Sequence, residues 1–190
     1  VLASNGKEQI QIYKTGPTFA ALTQTAGVMP FTYAKLIAKL GPHVIALNTN
    51  REANEICWCS ADDVHGWIPL PANTAGQFTI RDLEGEILTA VPLGERLGIY
   101  SNDSLHIMTY IGAPYVFGVQ KVLGSVRAVG RATVFEVGRE HIRLGRQGFF
   151  RTDGTSLTYI AEPAVREWFW ARCNVAQISK TVCYHNEDKN

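Results

Sequence analysis

The chain has 190 residues, 46% of them hydrophobic and 18% charged, which is the composition of a globular domain with a sizeable core rather than of a disordered segment. Its formal net charge of +1 excludes a bulk electrostatic attraction to nucleic acid or to an anionic membrane surface. No apolar run reaches the roughly 18 to 20 residues of a spanning helix, so no membrane insertion is expected.

The chain opens on VLASNGKEQIQIYK, which reads as strand, turn and strand, and it stops on KTVCYHNEDKN, just beyond another apolar run. The expectation from both ends is a segment of a longer chain. Between them one phrase recurs: LGPHVIAL at 40–47, LGERLGIY at 93–100 and VGREHIRL at 137–144. A weaker copy starts at Gly6. From Gly6 through Gly41 and Gly94 to Gly138 the glycines lie 35, 53 and 44 residues apart. In each strong copy an apolar or alternating segment precedes the glycine and an apolar run follows it. Glycine at such a junction tolerates the positive φ of a tight hairpin turn. YAKLIAKL, before Gly41, also fits helical spacing, but the equivalent segment of the next copy contains Pro92, and Val and Phe dominate the one after.

Further strands fit between the phrases: EICWCS at 55–60, SLHIMTYIG at 104–112, and GFFRTDGTSLTYI at 148–160, whose Asp-Gly is a hairpin signal. About four strands per period, with a period of 40 to 50 residues, predict an all-β, propeller-like fold. Its blades of about four antiparallel strands would fall near 1–30, 31–88, 89–130 and 131–190. One short helix is expected near 163–173, in EPAVREWFWARCN, either packed on the sheets by Trp168 and Phe169 with Trp170 on another face, or with all three aromatics in the core.

Chemistry-bearing residues are sparse. Cys57 and Cys59 sit two apart on a strand, and no second Cys or His pair follows at zinc spacing, so buried free thiols are expected for the four cysteines and no metal is predicted. SADDVHGW at 60–67 holds Ser60, Asp62, Asp63 and His65 without the context of a nucleophile elbow or a metalloprotease helix. It reads as a turn that Trp67 anchors to the core. No glycine-rich phosphate loop opens a helix, so no cofactor is predicted. The stretch 121–151 is locally basic, with Arg127, Arg131, Arg139, Arg143 and Arg146 among its cations. Arg139, His141 and Arg143 alternate, which predicts one strand face able to meet a phosphate backbone without reading its sequence, or else to pair with a neighbouring subunit.

The segment AKLIAKLGPHVIALNTNREANEICWCSADDVHGWIP resembles tail hub or nozzle proteins of short-tailed bacteriophages and their relatives in other tailed phages. So does the stretch from GERLGIYSNDSLHIMTYIG through APYVFGV and GFFRTDG to AVREWFW. CWCS stands here where the family more usually carries a Tyr-Trp-Ser-like strand end. The resemblance implies a non-enzymatic subunit of the virion tail, assembled in the host cytoplasm. It also implies a ring of six copies with a DNA exit channel, meeting portal or adaptor proteins and tail fibres or spikes. Candidate interface residues are Tyr115, Phe117 and Trp170, with the basic face as candidate channel lining. The alternatives are a propeller glycan hydrolase using Asp62, Asp63 or Asp153, since such enzymes hold two carboxylates about 5 to 10 Å apart, or a non-catalytic receptor-binding propeller.

Overall fold

The computed structural model describes residues 1–25, 27–83, 85–122, 128–146 and 148–186. Among the described residues strand accounts for 43% and helix for 9%, which makes the class all-β. Four antiparallel sheets follow one another along the sequence, each built from consecutive strands. The first is small: β1 (Leu2–Ala3), β2 (Gln11–Ile12) and β3 (Ala20–Ala21). The second runs β4 (Ala34–Leu40), β5 (His43–Thr49), β6 (Glu55–Trp58) and β7 (Gly76–Thr79). The third runs β8 (Ile87–Leu93), β9 (Arg96–Ser101), β10 (Leu105–Gly112) and β11 (Val116–Lys121), and the fourth β12 (Val134–Val137), β13 (Glu140–Gly145), β14 (Gly148–Thr152) and β15 (Leu157–Tyr159).

The recurring phrase is the first hairpin of each four-stranded sheet. Leu40 pairs His43, Leu93 pairs Arg96 and Val137 pairs Glu140, which leaves two-residue turns. The first turn residue is Gly41, Gly94 or Gly138, with φ of 57°, 59° and 64°. Glycine at the first of two turn positions is the signature of a type II′ turn, whose twist matches that of the strands. A Cβ added at any of the three meets nothing within 4 Å, so backbone conformation rather than space demands glycine there. Gly6 lies in the longer link between β1 and β2 and forms no such hairpin. The Asp153-Gly154 turn is also longer than the Asp-Gly signal predicts. Thr152 pairs Leu157 across four residues, because Asp153 Oδ1 accepts from the backbone N–H of Thr155 and Ser156 at 2.8 and 2.9 Å and so stabilises a wider loop.

The sheets stack through alternate faces of their strands. One face of the second sheet (Leu36, Leu40, Ile45, Leu47, Ile56, Trp58) packs on one face of the third (Leu97, Ile99, Met108, Phe117). The opposite face (Ala46, Cys57, Cys59) meets Ile10 and Leu22, which flank β2 and β3, and Trp67 from a loop. The other face of the third sheet (Leu93, Tyr100, Leu105, Ile107) meets Val134 of the fourth. Each fully buried Leu or Ile contributes about 1.5 to 3 kcal/mol relative to exposure. The first strands also lie together, β4 against β8 and β8 against β12.

Helix α1 (Pro163–Arg172) begins with Pro at its first turn, where a missing N–H costs nothing. No residue of α1 is buried. Phe169 packs edge-on against Phe149, with ring centroids 5.2 Å apart, but Trp168 is 59% exposed and carries the Arg172 guanidinium over its ring. Of the expected pair of aromatic anchors, Trp168 points outward and Phe169 packs on β14, where the Arg166 side chain also lies against Gly148. A 3-10 segment, Val175–Lys180, follows.

Candidate functional site

Two polar clusters are built where sheets meet. The first gathers the starts of the three first strands. Lys35, the second residue of β4, reaches Glu86, just before β8, with Nζ and Oε2 2.5 Å apart. The same carboxylate accepts from Asn48 Nδ2 at 3.0 Å, and Asn48 Nδ2 also donates to Ile87 O. Asn48 holds a φ of 55°, a conformation Asn tolerates better than most residues. Arg131, ahead of β12, donates to Lys35 O at 2.9 Å. The hydrogen bonds from Lys35 and Asn48 lower the Glu86 pKa, with the Lys35 and Arg131 charges adding to them. Lys35 and Glu86 are each about two-fifths exposed, so the pair itself contributes on the order of 1 kcal/mol at most.

The second cluster lies between the third and fourth sheets. His141 Nε2 is 2.6 Å from Pro92 O, and a carbonyl only accepts, so this nitrogen carries the proton. Nδ1 is then the acceptor for the Tyr100 hydroxyl, 2.7 Å away. Gly98 makes room: a Cβ there would stand 2.8 Å from His141 Cε1. Next to it the fully buried Arg143 guanidinium lies over Tyr100 at 5.1 Å and Phe150 at 5.7 Å. Burial lowers the His141 pKa, raises that of Tyr100, and brings Arg143 down to about 10. The group fixes one sheet on another; it presents no nucleophile and base to an open cavity.

These positions correct the basic-face expectation. Arg143 and His141 do share a face of β13, but that face packs on the third sheet, so Arg143 cannot line a channel. Arg139 belongs to the β12–β13 turn and is exposed, as are Arg131 and Arg146. Arg127 lies outside the described residues. Of the interface candidates, Tyr115 is 74% exposed and Trp170 half-buried. Phe117 is a core residue, edge-on to Trp58 at 5.3 Å and to His43 at 5.0 Å, and is corrected from interface to packing. Its register on β11 turns it toward the second sheet.

The carboxylates of the hydrolase alternative sit in two separate loops, Asp62 and Asp63 side by side in one and Asp153 in the other. Asp63 Oδ1 caps the N–H of His65 at 3.0 Å, in the link between β6 and β7. Asp153 closes the β14–β15 loop, where the N–H groups of Ser156 and Thr155 hold its carboxyl well below the usual range. An acid held ionised in this way is unsuited to donate a proton. Trp67 anchors the 60–67 loop as expected, donating Nε1–H to Val64 O at 2.7 Å and meeting Phe31 edge-on. Cys57 and Cys59 are buried free thiols; burial pushes Cys57 up to about 12 and raises Cys59. Among the described residues no group of His, Cys, Asp and Glu could hold a metal ion. The histidines do not converge: His43, His106 and His141 are buried with different partners, Thr74, Asp82 and Pro92.

Sequence reasoning missed the Lys35–Glu86–Arg131 cluster. Its only signal was positional, a charged residue shortly before or within the first strand of three successive units. Neither a family model nor a curated protein matches this chain.

Proposed function

We propose that this chain is a structural subunit of a bacteriophage tail hub or nozzle, with its four sheets arranged as propeller blades around a conduit for DNA. The observation that carries the reading is the side-by-side order of β4, β8 and β12: each is the first strand of its sheet, and the other three strands follow outward in chain order. Blades radiate from a central channel in this manner. The phrases resembling tail hub proteins supply the virion setting. Rigid sheets would hold the conduit, and interfaces between copies, of about 800 Å² per partner, would hold a ring.

In this reading Lys35, Lys39, Arg131 and Arg139, exposed on or beside first strands, take the place of Arg143 as cations near passing DNA. Contacts of this kind would be independent of base sequence and weakened by salt. Mass photometry of the purified chain and copy counting in tail particles test the proposal. A closed ring, six copies by the resemblance, is expected. A species that stays monomeric at every concentration and is absent from tails would sink it.

A further inference from the structure

We infer that the outer edge of β11 is a docking site for an extended peptide with alternating apolar and acidic side chains, added as a fifth strand to the third sheet. Edge strands present unpaired main-chain groups, and proteins commonly blunt them by keeping them short. The other outer strands are short: two residues in β3, four in β7 and three in β15. β11 has six, contains no proline, and pairs only with β10 among the described residues.

The register says which groups are offered. Val122 N–H donates to Leu105 O at 2.8 Å, and the pairing continues as Gln120 with Ile107 and Gly118 with Thr109. Main-chain groups alternate in direction along an antiparallel strand. Those of Val119 and Lys121 therefore point away from β10, toward the side where no strand pairs with β11 among the described residues.

Beside this edge lies a groove of about 420 Å³. Residues 118 to 122 of the edge line it, together with Ile107, Thr109 and Ile111 of β10, and Gly154 and Thr155 of the neighbouring loop close it. Of its lining, Ile111 is left 56% exposed. Ile111 lies over Gly118, its Cγ2 3.3 Å from where a Cβ would stand, and since Ile107 and Val122 are already buried it is Ile111 that offers apolar surface to an added strand. On the opposite face an added strand meets Lys121, whose ammonium donates one hydrogen bond to Asp82 O at 3.1 Å and keeps further N–H groups for a partner. The charged residues lining the groove are Arg96 and Lys121, both cations, with no carboxylate among them. An acidic side chain directly across from Lys121 is the favourable cross-strand pair. Main-chain bonds would supply affinity and the alternating side chains specificity.

The probe is a fluorescein-labelled octapeptide alternating valine and glutamate, titrated into the full chain and followed by anisotropy. Saturable binding is expected. It should weaken by about tenfold or more with the variant Val119→Pro, which removes one outward N–H and none of the bonds to β10. A probe N-methylated at alternate residues should weaken similarly against the unchanged protein, a comparison that holds even if the proline variant unfolds. Lys121→Glu should reduce binding of the acidic probe and improve that of a valine–lysine probe. Absence of binding, or binding indifferent to N-methylation, overturns the inference. So does self-association of the chain through this edge that excludes the probe, which would make a second copy the occupant.

Discussion

The two inner sheet-to-sheet junctions have the same topology and both bury apolar side chains, but the second adds the hydrogen-bonded polar group centred on His141. Between the second and third sheets the contact is aliphatic and aromatic, with Leu47, Ile99, Met108 and the Trp58–Phe117 pair at its centre. Between the third and fourth, Tyr100, His141 and Arg143 take the central places, held by directed hydrogen bonds and ring stacking. Apolar contact is tolerant of sideways adjustment, because its energy follows area rather than direction. A buried polar group has few acceptable geometries and is costly when its partner is lost. The first junction therefore supplies cohesion, and the second sets the angle at which one sheet meets the next.

The contrast is broken most strongly at Arg143. Arg143→Ala removes a buried guanidinium from between two rings, losing its packing and both cation–π contacts, and should cost about 2 to 5 kcal/mol, read as a lowered midpoint in urea. If the loss stays below about 1 kcal/mol, the second junction does not depend on its polar centre. Tyr100→Phe keeps the ring and removes the hydroxyl that His141 accepts, for an expected loss of about 1 to 3 kcal/mol. At the first junction Ile99→Val should cost about 0.5 to 1.5 kcal/mol and leave the cooperativity of unfolding intact.

Acid sharpens the same comparison. Burial lowers the pKa of His43, His106 and His141 below the ordinary 6.5. Below 6.5 the unfolded chain binds protons that the folded imidazoles refuse, so stability is complete above that value and declines as the pH falls through it. A thermal melt series from pH 8 to pH 5, values chosen to bracket roughly the histidine range, should show Tm falling at the acid end. His141→Gln should flatten that slope more than His43→Gln, because His141 is held at both ring nitrogens whereas His43 bonds through Nε2 to Thr74. Equal slopes for the two variants would place the acid sensitivity in both junctions alike. At the rim the expected effect is similar in size to that of Ile99→Val. Gly94→Ala, with open space around its Cβ and a φ of 59°, should cost about 1 kcal/mol through backbone strain alone.

The hairpins were legible because their cause is local. Glycine before a polar residue, between two apolar runs, identifies a turn without reference to the rest of the chain, and Gly41, Gly94 and Gly138 occupy equivalent corners. The fate of Arg143 was not legible. A strand reading Arg-Glu-His-Ile-Arg gives alternation correctly but not which face is covered. The rings that cover Arg143 include Tyr100, 43 residues earlier, on another sheet. Phe117 and Tyr115 show the same limit at short range: two residues apart at the start of β11, one is core and the other 74% exposed. The Lys35–Glu86–Arg131 cluster draws on three separate units, and no spacing within any one of them announces it.

Each sheet consists of strands that are neighbours in the chain, and no strand of one sheet is inserted into another. Every pairing partner is thus available within a few dozen residues of its mate. On a translating ribosome the earlier layers can reach their final hydrogen-bonded form while the later ones are still being made, and each finished layer offers a greasy template to its successor. Maturation of this molecule should then proceed from its amino end, with the His141 lock engaging last.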